Sequence, residues 1–166
     1  MFNREIMGLA NDITYSGKLK CVSELIANSR LKFSINENLT SLMNTLVNKS
    51  IVFIDTSDLI KKISNDEYGD LKTSNDLECK IVTSVTEKLH YYSMDCSNPD
   101  SIGIIAPYNN QVKTIQNAFR KKSDSTFFKD IETNTVDQFQ GRDKKVVVVS
   151  FTRSILKSEE NRVRNN

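Results

Sequence analysis

Two polar segments hold residues whose types and spacing suit ligand binding. In Gln140-Gly141-Arg142-Asp143 the glycine would allow a ligand to approach the backbone closely, and Arg142 and Asp143 place opposite charges beside it. The second segment, Pro107-Tyr108-Asn109-Asn110-Gln111, adds an aromatic ring and amides directly after an apolar run. For residues 140–143 two interpretations stay open from the residues alone: a ligand-binding loop, or a hairpin-like turn with a surface ion pair.

Other kinds of site lack the residues that they need. The chain has no GxxxxGK[ST], so the loop that cradles nucleotide phosphates and supplies their lysine is missing, and no acidic pair follows a strand in a way that would hold Mg²⁺. The single histidine, His90, is expected to pack on a helix flank rather than to catalyse. The three cysteines are too widely separated for a metal site, and we predict reduced structural thiols.

Composition bounds the class of protein. With 166 residues, 38% hydrophobic and 27% charged, the chain is predicted to form one globular domain. No apolar run approaches the roughly 20 residues that cross a bilayer, and the N-terminus resembles no secretory signal, so we expect an intracellular protein without membrane contact. The net charge of +2 does not by itself indicate nucleic-acid binding.

The N-terminal part is predicted to be mainly helical. Apolar spacing predicts a helix over Arg4–Thr14 that stops near Gly17, and a second one between Asn36 and Ser50. The run Ile51–Ile54 predicts a buried strand, and the polar stretch 58–73 predicts a surface excursion. After it, Asn75 and Glu78 predict a capping box before a helix. The apolar stripe of that helix is Leu77, Ile81, Val85, Leu89 and Tyr92.

Strands and helices alternate in the C-terminal half. Ile102–Ala106, Ile131–Thr135 and Lys145–Phe151 are predicted strands, the last buried on both faces. Asn109 is predicted to cap a helix that buries Val112, Ile115 and Phe119. Its basic end, Arg120-Lys121-Lys122, suits either the helix dipole or contact with DNA. This order predicts an α/β fold with an open parallel sheet, in which ligands gather at the carboxyl ends of strands. The loops from Pro107 and Val136 and the segment after Phe151 are expected there.

Three stretches resemble superfamily 1 helicases. TVDQFQGRDKKVVVVSFTRS at 135–154 is similar to motif V and its strand, and IGIIAPYNNQVKTIQ at 102–116 to the preceding strand, Pro-Tyr-x-x-Gln loop and helix. REIMGLANDITYSGKLKC at 4–21 resembles the segment on the C-terminal side of motif IV. Three features together favour the DNA replication helicase/nuclease family over the RNA-surveillance helicases, which stay the alternative: Gly-Arg-Asp-Lys at 141–144, Ser-Phe-x-Arg-Ser at 150–154 and Tyr-x-Gly-x-Leu-x-Cys at 15–21. The resemblance implies a RecA-like parallel sheet flanked by helices, the second motor domain of a P-loop NTPase without Walker A.

The resemblance also implies roles for particular residues. Gln140, Gly141, Arg142 and Asp143 should lie toward ATP, with the Asp143 carboxylate accepting hydrogen bonds from ribose hydroxyls. Pro107, Tyr108, Gln111 and Thr135 should contact single-stranded DNA, through phosphates and by stacking on Tyr108. For Tyr108 the alternative is an aromatic ring that covers the core at the end of the strand. ATP and Mg²⁺ would bind only together with the N-terminal RecA-like domain of the same enzyme. No iron-sulfur cluster is expected on these cysteines, and the nucleus is the expected location.

The chain also departs from the family pattern. Met1-Phe2-Asn3 stands where the motif IV arginine run would end, and Ile155–Asn166 contains no motif VI. Such arginines are worth on the order of 10³ in rate, so the isolated chain is predicted to be inactive alone. We expect a C-terminal RecA-like helicase domain at 1–154 and a polar, disordered tail at 155–166. The alternative is a non-catalytic module that binds nucleic acid.

Overall fold

A computed structural model describes residues 3–34, 40–56 and 73–152. The chain divides into two compact units: Met1–Ile54 with Tyr92–Asp95, and Asp55–Tyr91 with Cys96–Asn166. The predicted surface excursion at 58–73 and the predicted tail at 155–166 lie almost entirely outside the described residues. Within the described parts, no helix is both long and apolar enough to cross a membrane.

The first unit is helical. Helix α1 (Arg4–Ala10) is capped by Asn3 and continues into a π-helical turn (Asn11–Tyr15), so the predicted first helix is confirmed with a change of helix type. It ends where predicted, at Ser16 and Gly17, which both adopt positive φ. Helices α2 (Glu24–Ala27) and α3 (Ser41–Asn48) lie further along the chain. The buried side chains Ala27 and Met43, each 2% exposed, anchor α2 and α3.

The predicted strand at Ile51–Ile54 is wrong. Residues 51–56 form neither helix nor strand, and Phe53 is 76% exposed. The four residues have the composition of a strand, but a strand also needs a hydrogen-bonding neighbour, which the described residues do not supply here. The bridge in this unit joins Phe33 to Ser93 instead.

Glu5 gives this unit an acid-sensitive contact. Its carboxylate accepts hydrogen bonds from Arg30 Nη2 and from the Ser50 backbone N–H, each at 2.7 Å. The Arg30 hydrogen bond, followed by the Ser50 one, lowers the pKa of Glu5 from 4.5 to about 2.

A group whose pKa is lowered by folding stabilises the folded state above its unfolded pKa and loses that contribution as the pH falls through its folded pKa. We therefore predict that part of the stability is lost between about pH 4.5 and pH 2. Urea unfolding at several pH values in this window should show a flatter pH dependence for Glu5→Gln than for the unsubstituted chain. Parallel pH profiles would contradict the assignment.

The second unit is built on a parallel sheet. Among the described residues its strands are β1 (Ile102–Ala106), β2 (Glu132–Thr135) and β3 (Val146–Val149), in the order β2-β1-β3. Around them lie α4 (Asp76–Tyr92), α5 (Asn109–Arg120), α6 (Ser125–Asp130) and α7 (Val136–Phe139). The parallel sheet flanked by helices confirms the predicted RecA-like α/β fold.

Buried apolar residues hold α5 to the sheet. Helix α5 packs against β1 and β2, and its predicted inward residues Val112, Ile115 and Phe119 are buried. Ile102 and Ile104 of β1 have no exposed surface, which confirms the central strand. The predicted cap, Asn109, is instead the first residue of the helix, and Tyr108 occupies the cap position without a side-chain hydrogen bond.

Two predicted burial patterns are wrong. Strand β3 is shorter than predicted and is not buried on both faces: Val147 and Val149 are 45% and 46% exposed, while Val146 and Val148 on the other face are half-buried. In α4, Tyr92 is 39% exposed. Polar residues outside the predicted apolar stripe, Glu78, Thr83 and Thr86, are also buried in α4. The full set of buried residues in α4 is Glu78, Cys79, Val82, Thr83, Val85, Thr86 and Leu89.

His90 packs as predicted. Its ring lies 3.6 Å from the Phe127 ring, centroid to centroid, and its Nε2 is 3.3 Å from Asp124 Oδ2. The three cysteines are free thiols, and burial raises the pKa of Cys79, which keeps its thiol protonated.

Candidate functional site

The carboxyl edge of the sheet brings together Pro107, Tyr108 and Thr135. Ala106, the last residue of β1, is the register partner of Thr135, the last residue of β2. The Pro107-Tyr108 loop therefore begins beside Thr135. Pro107 is exposed, and Tyr108 and Thr135 are half-buried. The loop that carries Tyr108 and the last residue of β2 therefore share one edge of the sheet, as the order of the strands predicted for the loops that follow β1 and β2.

Gln111 lies beneath this edge, not on it. Its side chain is 0% exposed. Its Oε1 accepts a hydrogen bond from the Asn75 backbone N–H at 2.7 Å, and its Nε2 donates to Asn75 O at 3.2 Å and to Ser150 Oγ at 3.1 Å. With no accessible surface in this arrangement, Gln111 supports the neighbouring segments, which revises the predicted direct contact with DNA.

Glu78 completes this buried cluster. Its Oε2 accepts hydrogen bonds from Ser150 Oγ at 2.6 Å and from the Thr152 N–H at 2.8 Å. The predicted capping box is therefore half formed: Asn75 Oδ1 accepts from the Glu78 N–H at 3.1 Å, but Gln111 has taken the Asn75 N–H that Glu78 would bond. Glu78 instead fixes the chain as it leaves β3, where Thr152 has a φ of 68°.

The Gln140–Asp143 segment forms an exposed turn. The Arg142 N–H donates to Phe139 O at 3.3 Å, Gln140 has φ −59° and ψ 134°, and Gly141 has φ 80°. These angles define a type II turn, which favours glycine at its third position. A Cβ at Gly141 would meet nothing within 4 Å, so backbone conformation and not crowding favours glycine there.

An ion pair at this turn was one of the two interpretations left open, and it joins Arg142 to Glu132. Arg142 Nε lies 2.9 Å from Glu132 Oε1, and Lys144 Nζ lies 3.0 Å from Glu132 Oε2. Glu132 begins β2, so the turn sits at the amino edge of the sheet, opposite the carboxyl edge that holds Thr135. Sequence reasoning missed Glu132, because its partners are set by the crossover from β2 to β3.

Gly103 makes room for the segment that carries the turn. A Cβ at Gly103 would lie 2.2 Å from Phe139 Cζ and 3.0 Å from Lys144 Cγ. Phe139 and Lys144 flank the turn on either side and both cross this point of β1. The missing side chain at residue 103 therefore allows the turn to be anchored closely against the sheet.

The basic end of α5 is largely engaged by neighbouring side chains. Lys122 Nζ lies 2.8 Å from Glu87 Oε1, and Arg120 Nη1 donates to Asn117 Oδ1 at 2.9 Å. These contacts favour the structural interpretation of Arg120-Lys121-Lys122 over contact with DNA.

Comparison with known proteins gives the family. Residues 2–164 match the AAA domain family. The chain is 35% identical over 164 residues to the DNA replication ATP-dependent helicase/nuclease of Xenopus laevis, covering 92% of this chain and 15% of that protein. It is 34% identical over 168 residues to the Homo sapiens protein of the same name, with the same coverage. For the Arabidopsis thaliana protein the identity is 31% over 153 residues, covering 91% of this chain and 10% of that protein.

The chain therefore spans 15% or less of the length of these relatives. The match to the AAA domain family covers nearly every residue, and the resemblance inferred from residues 4–21, 102–116 and 135–154 points to the same proteins. The chain belongs to the AAA domain family, and its resemblance to the DNA replication ATP-dependent helicase/nucleases is confirmed.

Proposed function

We propose that this chain is the C-terminal RecA-like motor domain of an ATP-dependent superfamily 1 DNA helicase that acts in DNA replication and repair in the nucleus. One observation supports this most: the chain from Thr135 to Asp143 runs from the carboxyl edge of the sheet to its amino edge. A segment with one end at each edge can contact two ligands at once, which a motor needs to couple ATP to movement on DNA.

The turn at the amino edge is the proposed nucleotide side. Its residues Gln140–Asp143 are exposed, Asp143 offers a carboxylate for ribose hydroxyls, and Gly141 leaves open space beside its backbone. These groups fit the sugar of ATP. The phosphates and Mg²⁺ are assigned to the N-terminal RecA-like domain, whose phosphate-cradling loop this sequence lacks.

The carboxyl edge is the proposed single-stranded DNA side. The Thr135 hydroxyl suits a phosphate oxygen, and the half-buried Tyr108 ring suits a base of any identity. Neither contact discriminates between sequences, as a translocating motor requires. RNA in place of DNA is the alternative outcome of the binding experiments below.

The test is a pair of substitutions in the assembled motor, by which we mean this chain together with the N-terminal RecA-like domain. Loss of a hydrogen bond to a charged group costs about 1.5–3 kcal/mol, so Asp143→Ala should raise the KM for ATP about tenfold or more. Asp130→Ala, which removes an exposed carboxylate at the end of α6, is the control.

Thr135→Ala should weaken single-stranded DNA binding and leave the nucleotide affinity unchanged. Thr126→Ala, at an exposed threonine, is its control.

Unchanged ATPase activity and unwinding in Asp143→Ala would contradict the proposal. The isolated chain gives a second check, because single-stranded DNA binding without ATPase activity should be measurable at low salt and should weaken as salt rises. Equal affinity for RNA and DNA would favour the RNA-helicase alternative. An isolated chain that binds at low salt, with no effect of Asp143→Ala in the assembled motor, would favour the non-catalytic module.

A further inference from the structure

We propose that Glu132 is a positioning residue for the Gln140–Asp143 turn. This inference rests on the proposed function, because it concerns the turn that would face the nucleotide. Glu132 itself does not belong to that turn. Glu132 acts on the turn through Arg142 and Lys144, which lie at the other end of the β2–β3 crossover.

The Glu132 carboxylate collects three donors. Its Oε1 lies 2.9 Å from Arg142 Nε and accepts a hydrogen bond from Asn134 Nδ2 at 3.0 Å, and its Oε2 lies 3.0 Å from Lys144 Nζ. The Glu132 side chain is 16% exposed. A carboxylate that is mostly withdrawn from solvent and bonded through both oxygens holds its partners in a narrow range of positions.

Lys144 makes Glu132 indispensable to this arrangement. The Lys144 side chain is 8% exposed, and its aliphatic part lies against Gly103. A buried ammonium group needs a counter-charge, because an unpaired buried charge is strongly destabilising. Glu132 supplies that charge within the described residues.

Glu132 holds the Arg142 side chain through one nitrogen of its guanidinium group. The contact to Glu132 is made through Nε, and the Arg142 side chain is 54% exposed. The Arg142 backbone N–H closes the type II turn onto Phe139 O, and Asp143 is the next residue along the chain. Glu132 thus sets both the direction of the arginine and the geometry of the turn that carries Asp143.

The first measurement is amide hydrogen exchange of Arg142, whose N–H closes the turn. In Glu132→Gln, which keeps the side-chain shape and removes the charge, exchange at Arg142 should be at least about tenfold faster, which corresponds to about 1.4 kcal/mol. Glu132→Gln combined with Lys144→Met removes the uncompensated buried ammonium and protects folding, yet still releases Arg142, so fast exchange should persist. Glu87→Gln, which breaks a more exposed Lys–Glu pair with Lys122 elsewhere in the same unit, should leave Arg142 unaffected.

The second measurement is steady-state ATPase in the assembled motor. A positioning role predicts a severalfold higher KM for ATP in the double variant with kcat changed less than about twofold, whereas a purely structural role would lower the active fraction and leave KM unchanged. Unchanged exchange at Arg142 overturns the inference. The inference is also overturned if the double variant leaves the KM for ATP unchanged while Asp143→Ala raises it. In that case the proposed function still stands. If neither variant changes KM, the proposed function falls and the inference with it.

Discussion

Replacing Gln111 by alanine is expected to lower the free energy of unfolding by about 2–4 kcal/mol. The side chain is fully buried and satisfies both backbone polar groups of Asn75 as well as Ser150 Oγ. Alanine would leave a cavity and the Asn75 N–H without its acceptor. Asn75 also caps α4, and Ser150 comes directly after β3. Loss of the Gln111 side chain should therefore destabilise both α4 and the end of β3.

Urea unfolding followed by far-ultraviolet circular dichroism measures this difference. Gln138→Ala is the matched control, because Gln138 is an exposed glutamine in α7, and its truncation should change stability by less than about 0.5 kcal/mol. A Gln111→Ala protein as stable as the control would show that the buried amide network contributes little. The role of Gln111 as a support beneath the carboxyl edge would then be withdrawn.

Gly103→Ala is expected to destabilise the chain by about 1–3 kcal/mol and to loosen the Gln140–Asp143 turn. The new Cβ would lie 2.2 Å from Phe139 Cζ and 3.0 Å from Lys144 Cγ, so the buried Phe139 ring would have to move. Phe139 precedes the turn and accepts its closing hydrogen bond from the Arg142 N–H. Thermal unfolding measures the first effect, and amide exchange at Arg142 the second.

Gly8→Ala is the control with the opposite expected sign. Gly8 lies inside α1, and a Cβ there would meet nothing within 4 Å. Alanine in a helix interior is more favourable than glycine by about 0.5–1 kcal/mol, so this variant should be slightly more stable than the unsubstituted chain. Equal effects of the two substitutions would mean that crowding at Gly103 is not what distinguishes it.

Sequence patterns predicted elements well where neighbouring residues alone decide the conformation. Gly17 ends the first helix through its positive φ. Strands are different: the run Ile102–Ala106 forms a strand that has β2 and β3 as its neighbours. Ile51–Ile54 has an equally apolar composition and forms no strand, because strand formation depends on a neighbour that the run itself does not specify. Four consecutive valines did not reveal that one face of β3 is exposed, because the burial of a face depends on what packs against the sheet.

In the candidate site, too, some features were predictable from the sequence and others were not. The order of strands and loops predicted that Pro107 and Thr135 would meet at one edge, since parallel strands end on the same side. The roles of Gln111, Glu78 and Glu132 were not predictable, because they depend on pairings between distant residues. Gln111 bonds Asn75 across 36 positions and Glu78 bonds Ser150 across 72, and neither separation leaves a periodic trace in the sequence.

The central claim is that nucleotide and single-stranded DNA occupy opposite edges of one sheet. Photo-crosslinking in the assembled motor tests it most directly, with an azido-ATP probe and a halogenated single-stranded DNA applied separately and the modified peptides identified by mass spectrometry. We predict that the ATP probe labels residues 140–143 and that the DNA labels Pro107, Tyr108 and Thr135. Labelling of the same edge by both probes, or labelling of the basic cluster Arg120-Lys121-Lys122 in place of the carboxyl edge, would contradict it.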